Sequence, residues 1–128
     1  MIDNKKVLII DDDPDILEAL ELVFQSARCT VETTTKGENT YSVVNTFKPD
    51  IIILDVLLSG KDGRTICKKL KKDKTTKHIP IIMISAHPNA GASTKAVGAD
   101  EFLAKPFNIK ELLSKTEALI RQSSRPRK

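Results

Sequence analysis

The feature that most constrains the fold of this chain is a set of three short apolar runs, at residues 7–10, 51–54 and 81–84. The runs are rich in β-branched residues and do not alternate with polar ones, which is typical of strands that are buried on both faces and usually parallel. Residues 31–35 alternate and are mostly polar, which indicates an edge strand. Glu101–Ala104 is a short candidate for a fifth strand.

The segments between these strands carry apolar side chains at helical spacing. Residues 88–98 are the weakest helical segment, because they contain Pro88 and Gly91, and we expect a short, frayed or mobile element there. Strict alternation of strand and helix predicts a doubly wound α/β fold with helices on both faces of the sheet. Functional residues are then expected at the carboxyl ends of the central strands. The four stronger stripes are Leu17, Leu20, Phe24 and Ala27; Tyr41, Val44 and Phe47; Ile66, Cys67 and Leu70; and Ile109, Leu112, Leu113, Thr116 and Ile120.

Length and composition are those of one ordinary globular domain. The chain has 128 residues, of which 40% are hydrophobic and 30% charged. No apolar run approaches the length of a membrane span, and the N-terminus lacks the apolar region of a secretory signal. Cys29 and Cys67 have neither CxxC spacing nor nearby histidine ligands, so we expect reduced thiols and a cytoplasmic protein.

The positive charge is concentrated in two segments. The last eight residues contain four basic residues and no acid, and the rest of the chain has seventeen of each sign. We therefore expect a domain at residues 1–121 and a basic, disordered tail at residues 122–128. A second basic segment, residues 68–77, has six lysines and a single acid, Asp73. Both segments lack aromatic side chains for base stacking, so we do not expect a nucleic-acid partner.

Acidic residues follow the first apolar run without a break. Asp13 is a candidate N-cap, Pro14 suits the first helical position, and Asp15 complements the helix dipole. A helix start does not explain Asp11 and Asp12, which directly continue the strand. Adjacent carboxylates repel each other unless a cation or a proton lies between them.

Polar residues also end the other strands. Asp55 follows the run at residues 51–54, Ser85 follows the run at residues 81–84, and Lys105 follows the fifth strand. Three carboxylates meeting at neighbouring strand ends favour a hard cation such as Mg²⁺. The peptide bond before Pro106 is a candidate for the cis form.

Taken in chain order, these residues resemble the receiver domain of two-component response regulators over nearly the whole chain. The resemblance implies a flavodoxin-like, doubly wound α/β fold: a five-stranded parallel sheet of strand order 2-1-3-4-5 with five helices. The residues that carry it are 7–13, 53–55 with Asp62 and Gly63, 84–86, and 98–107.

The resemblance also implies an acceptor and its metal. Asp55 would accept a phosphoryl group from a phosphohistidine on a sensor histidine kinase or a histidine phosphotransfer protein. Asp11 and Asp12 would hold Mg²⁺ together with Asp55 and the backbone carbonyl of Leu57. Carboxylate attack on phosphorus, with a metal neutralising charge, fits these residue types.

A switch follows from the same resemblance. Ser85 and Lys105 would contact the phosphoryl oxygens, and Ser85 would move towards them. Phe102 on the fifth strand would then turn inward and change a protein-interaction face formed by the fourth helix, the fifth strand and the fifth helix. The domain would be a switch for a downstream protein target. It would not be an enzyme acting on an outside substrate, although it would assist its own phosphorylation and dephosphorylation.

Two features depart from the family pattern. Ser59 stands where the family usually has proline, although Gly60 can still form the turn. The stretch from Ser85 to Lys105 is also shorter than usual, which affects the shape of the output face.

Leu57 flanks the acceptor, and we hypothesise that its bulk hinders water and lengthens the phosphoryl lifetime.

A receiver is the leading interpretation, and two functional alternatives stand behind it. The chain is a stand-alone receiver acting by protein contact or phosphate relay, or it is a piece of a larger regulator. A binding module independent of phosphate is the first alternative, and the acceptor residues argue against it. A nucleic-acid binder using the basic segments is the second.

Overall fold

The computed structural model describes residues 2–123 of the chain. Its centre is a five-stranded sheet in which every neighbouring pair of strands is parallel. The spatial order is β2-β1-β3-β4-β5, which confirms the predicted flavodoxin-like arrangement. We number its strands β1 (Lys6–Ile10), β2 (Thr30–Thr34), β3 (Ile51–Asp55), β4 (Ile81–Ser85) and β5 (Glu101–Ala104).

Within residues 2–123, five α-helices cover the sheet, as predicted. Short 3₁₀ turns at Gly37–Asn39 and Pro88–Ala90 lead into the second and fourth helices. A small hairpin pairs Leu57–Leu58 with Lys61–Asp62 between β3 and the third helix. The helices are α1 (Pro14–Ser26), α2 (Thr40–Phe47), α3 (Gly63–Lys72), α4 (Gly91–Ala96) and α5 (Ile109–Ser123).

The sheet is buried on both faces, which is why its central strands are continuously apolar. Val7 and Ile9 of β1 pack with α1 and α5, whereas Leu8 and Ile10 point to the opposite face and pack with α2 and α3. Successive side chains of a strand point to opposite faces, so a strand covered on both sides is apolar along its length, and the polar residues Asp55 and Ser85 stand only at the ends of β3 and β4. β2 lies at the edge of the sheet, and its side chains are only partly buried or exposed.

The helix starts agree with the sequence signals. The Asp13 carboxylate accepts a hydrogen bond from the Asp15 backbone N–H at 2.9 Å, and Pro14 is the first residue of α1. Asp62 caps α3 in the same way by accepting from the Arg64 N–H at 2.9 Å. These caps fix where the two loops nearest the ends of β1 and β3 turn into helices.

The extents of α4 and α5 can be compared with the sequence predictions for these two segments. The segment predicted to be short forms only a 3₁₀ turn followed by the six residues of α4. α5 continues to Ser123, so the first two residues of the predicted tail, Gln122 and Ser123, are helical. Residues 124–128 of that tail lie outside the described residues. Within residues 2–123, no helix combines the length and apolarity needed to cross a bilayer.

Candidate functional site

The ends of β1 and β3 bring three carboxylates together. The two strands pair with Ile10 opposite Leu54, so Asp11 and Asp55, which come next, lie side by side at the carboxyl edge of the sheet. Asp12 joins them, and ligand oxygens of all three side chains lie within 4.8 Å of one another. Asp11 is completely buried and Asp55 is 5% exposed. Burial of like charges this close requires a compensating positive charge.

Lys105 supplies part of that charge from the end of β5. Its Nζ lies 2.9 Å from Asp11 Oδ2 and 3.5 Å from Asp55 Oδ2, and its side chain is 18% exposed. The Lys105 backbone N–H donates to the Ser85 carbonyl at 2.7 Å, which holds the start of this loop against the end of β4. The Lys105–Pro106 peptide bond is cis.

The surroundings raise the pKa of Asp55 to about 6. Burial is the largest cause, and repulsion from Asp11 and Asp12 adds to it, while Lys105 and the Leu57 backbone N–H act in the opposite direction. For Lys105, burial disfavours the ammonium, but hydrogen bonds and attraction to Asp11 and Asp55 outweigh it and raise the pKa. The lysine therefore stays charged, and the Asp55 carboxyl is the group that burial and repulsion destabilise when ionised.

The donor set fits a hard divalent cation. Asp11, Asp12 and Asp55 offer carboxylate oxygens, the ligand type that Mg²⁺ prefers. With all groups ionised, these three and Lys105 carry a formal charge of −2, which one divalent cation would balance. Leu57 lies two residues after Asp55, at the start of the hairpin, and its N–H hydrogen-bonds Asp55, so its backbone lies beside the cluster.

Ser85 lies at the end of β4, one residue beyond the partner of Asp55. Its side chain is completely buried, and its Oγ accepts a hydrogen bond from the His87 N–H at 3.0 Å. That bond leaves the hydroxyl proton free to be donated elsewhere. The structure therefore places Ser85 at the same edge of the sheet as the carboxylates, without a hydrogen bond to them.

A family model described as the response regulator receiver domain matches residues 7–117. The chain belongs to this family. The transcriptional regulator RpaA of Synechocystis is 34% identical over 94% of this chain and 51% of its own length. PhoP of Bacillus subtilis, an alkaline phosphatase synthesis regulator, is also 34% identical, over 94% of this chain and 50% of its own. The receiver domain thus spans about half the length of these curated relatives.

Solved receiver structures have the same fold. A response regulator from Chloroflexus aurantiacus is 35% identical, with a TM-score of 0.87 over 92% of this chain and 98% of its own. The chemotaxis response regulator CheY4 of Vibrio cholerae is 30% identical, with a TM-score of 0.83 over 91% and 98%. The expectation that excluded a nucleic-acid partner is not supported, because RpaA is named as DNA-binding.

The residues assigned to the receiver switch are on neighbouring elements. Phe102 of β5 pairs with Met83 of β4 and packs, partly buried, against the core on the α2–α3 face. A Cβ added to Gly91 at the start of α4 would lie 3.5 Å from the Phe102 ring, so α4 approaches this side chain closely. The ring thus lies between the sheet and α4.

The structure adds three residues, in the segment that follows Asp55, that sequence reasoning did not assign. Gly63 lies so close to the Asp55 carbonyl that any Cβ would collide with it. Arg64 makes a bidentate pair with Asp62, in which Nε donates to Oδ1 at 2.9 Å and Nη2 to Oδ2 at 2.7 Å, and it also donates to Ser93 Oγ of α4 at 3.1 Å. The third residue, Ser59, donates its hydroxyl to Asp12 Oδ2 at 2.8 Å. Its replacement of the usual proline was the only sequence signal for it, and that signal did not identify a partner.

Proposed function

We propose that this receiver domain takes a phosphoryl group onto Asp55 from a phosphohistidine on a sensor histidine kinase or a histidine phosphotransfer protein. The observation that carries the proposal is the cluster of Asp11, Asp12 and Asp55, with Lys105 paired to two of them. A buried ion pair alone would need one carboxylate. Three carboxylates around one lysine leave an excess of negative charge that a metal and a transferred phosphoryl group can use.

Asp55 is the nucleophile in this proposal. One of its carboxylate oxygens attacks phosphorus in line, and the phosphorus–nitrogen bond of the donor breaks with its electron pair going to the imidazole. With a pKa of about 6, the Asp55 side chain is ionised in most molecules at pH 7, and the ionised carboxylate is the form that attacks. The product is an acyl phosphate on Asp55 and a histidine that leaves as imidazole.

Asp11, Asp12, Asp55 and the carbonyl of Leu57 are the groups that would hold Mg²⁺. When bound, the ion neutralises charge on the attacking carboxylate and the phosphoryl oxygens. Asp11 is kept in place by its bonds to Lys105 and to the Asp13 N–H at 2.9 Å. This fixed carboxylate pre-orients the acidic loop, so little reorganisation is needed when the donor arrives.

Lys105 and Ser85 would stabilise the product. The Lys105 ammonium, already 3.5 Å from Asp55, can pair with a phosphoryl oxygen as a point charge. The modification adds about two negative charges, and the buried Ser85 hydroxyl has a proton to donate to them. Movement of Ser85 would let Phe102 turn inward and alter the face formed by α4, β5 and α5, where a downstream protein target would bind.

Two further expectations belong to this proposal. Free, buried thiols at Cys29 and Cys67 support a cytoplasmic location, where thiols stay reduced. The domain acts on its own Asp55, so its assistance to phosphorylation and hydrolysis does not make it an enzyme for an outside substrate.

Intact mass after brief incubation with Mg²⁺ and acetyl phosphate tests the proposal. We expect one phosphoryl increment in the wild type and none in Asp55→Asn or without Mg²⁺. Asp50→Asn is the matched control, because Asp50 is an acidic residue at the opposite end of β3, and it should be phosphorylated normally. Absence of the increment with acetyl phosphate and also with a phosphorylated histidine phosphotransfer protein would instead favour a constitutive binding module.

A further inference from the structure

One hydrogen bond joins the acidic loop after β1 to the loop after the acceptor. The Ser59 hydroxyl donates to Asp12 Oδ2 at 2.8 Å, across 47 residues of sequence. Asp12 belongs to the acidic cluster, and Ser59 lies in the turn of the hairpin that directly follows Asp55. The bond therefore connects two of the segments that supply the candidate metal ligands.

The hairpin does not need this hydroxyl for its own shape. Leu57 pairs with Asp62 and Leu58 with Lys61, and Gly60 adopts the positive φ of 72° that closes the turn. A glycine accepts that conformation without strain, so the turn is specified by backbone pairing and by Gly60. The Ser59 hydroxyl thus connects the hairpin to the acidic loop, and it is not part of the pairing that forms the hairpin.

Each carboxylate of the cluster is held by a donor from the chain. Asp11 accepts from the Asp13 N–H and from Lys105, and Asp55 accepts from the Leu57 N–H and faces Lys105. For Asp12 the donor is the Ser59 hydroxyl. The bond occupies one carboxylate oxygen of Asp12 and leaves the other available as a ligand.

We infer that Ser59 is a positioning residue for the metal site, which fixes the Asp12 carboxylate and holds the hairpin with its Leu57 carbonyl against the acidic loop. The inference rests on the proposed function, since it concerns the Mg²⁺ ligands named there. Hydrogen-bond partners of metal ligands orient them before the metal binds and thereby raise its affinity. In this chain a serine side chain makes a connection that a proline at the same position could not make.

The test is a calorimetric titration of the unphosphorylated protein with Mg²⁺ at pH 7. Ser59→Ala should weaken Mg²⁺ binding about tenfold, the lower end for hydrogen-bond partners of metal ligands. Ser59→Thr keeps the hydroxyl and should stay within about twofold of the wild type. Ser42→Ala removes an exposed hydroxyl from α2, away from the cluster, and should leave the affinity unchanged. Far-ultraviolet circular dichroism verifies that each variant is folded, and Ser59→Gly replaces the alanine variant if that one is not.

The outcomes separate this inference from the function on which it rests. If the wild type binds Mg²⁺ and Ser59→Ala binds it with equal or higher affinity, the role of Ser59 is overturned and the proposed function stays intact. The role of Ser59 is also overturned if Ser59→Thr binds Mg²⁺ as weakly as Ser59→Ala does. A wild type that binds no Mg²⁺, measured beside Asp12→Asn, would overturn the proposed metal site itself and the inference with it.

Discussion

Asp11 and Lys105 are separated by 94 residues in sequence, and their side chains form an ion pair with an Nζ–Oδ2 distance of 2.9 Å in which the carboxylate is completely buried. The same ammonium lies 3.5 Å from Asp55. A single lysine thus compensates two buried carboxylates, which predicts that it contributes to stability and, in the proposed function, to phosphoryl transfer.

Replacement of Lys105 should therefore lower both the stability and the phosphorylation of the protein. Lys105→Met leaves Asp11 buried without its ammonium, and we expect the free energy of unfolding at pH 7 to fall by about 3–5 kcal/mol, as for other broken buried pairs. Phosphorylation by acetyl phosphate should fall at the same time, because the phosphoryl group loses its cation. Urea unfolding and intact mass measure the two effects.

Lys115→Met is a control with a matched distance. Lys115 pairs with Glu101 at 2.9 Å as well, but the two side chains are 29% and 38% exposed. An exposed pair contributes about 0–1 kcal/mol, so the loss should be small. Equal losses in the two variants would contradict the importance that we give to the buried environment of Lys105.

The raised pKa of Asp55 predicts a stability that depends on pH. Because folding raises this pKa from 3.8 to about 6, stability falls as pH rises through this range, and the destabilisation by the ionised carboxyl is complete above about pH 6. Without Mg²⁺, Asp55→Asn should raise the free energy of unfolding at pH 7 by about 1–2 kcal/mol after allowance for solvent screening. The gain should shrink towards zero as pH falls to about 4, where the wild-type carboxyl is protonated in the folded protein.

Urea unfolding in EDTA at several pH values measures this effect. A destabilised Asp55→Asn protein at pH 7, or a gain that does not change between pH 7 and pH 4, would show that Asp55 is not strained by burial and repulsion. Addition of Mg²⁺ should reverse the order of the two proteins, since the metal compensates the charge in the wild type only.

Mg²⁺ should stabilise the folded wild type through the acidic cluster. At a Mg²⁺ concentration about 100 times the Kd, the expected gain is about 2.7 kcal/mol, seen as an increase in Tm. Asp12→Asn should lose most of this increase. Asp13 is the adjacent acid, and it caps α1 outside the cluster.

Asp13→Asn is accordingly the matched control for the metal response. Asparagine also caps helices well, so the variant should fold and should retain the full Mg²⁺-dependent increase in Tm. A metal response that disappears equally in both variants would indicate a diffuse attraction of cations to the acidic loop, without a site formed by Asp11, Asp12 and Asp55.

The side chain of Leu57 should control how long the acyl phosphate lasts. It is 49% exposed beside Asp55, where it can cover the approach of water to phosphorus. Leu57→Asn removes this cover and adds a group that can orient water, and we expect dephosphorylation to be about tenfold faster, or about 1.4 kcal/mol in barrier height. Decay of the phosphorylated mass after removal of the donor measures the rate.

Leu22→Asn provides the comparison, because Leu22 is a similarly exposed leucine of α1, at 60% exposure. Its decay rate should match the wild type. If Leu57→Asn also decayed at the wild-type rate, the proposed shielding by Leu57 would be wrong.

The sequence predicted the sheet and most of the helices correctly, because these elements depend on local patterns. Continuous apolar runs identified β1, β3 and β4, and alternation identified β2 as the edge strand. The weakness of residues 88–98 was also visible, and α4 has only six residues. The end of α5 was less predictable, because the polar residues near position 122 are compatible with either a helix end or a tail.

The sequence by itself determined which residues end the parallel strands, and therefore that Asp11, Asp55, Ser85 and Lys105 would share one edge of the sheet. Only the tertiary structure decided which of them touch. Lys105 pairs with Asp11 and Asp55, whereas the Ser85 hydroxyl accepts from His87. The bond of Ser59 to Asp12 and the raised pKa of Asp55 were likewise not predicted. The physical reason is that strand order follows from local periodicity, whereas hydrogen bonds and pKa values depend on ångström-scale distances between loops that are distant in sequence.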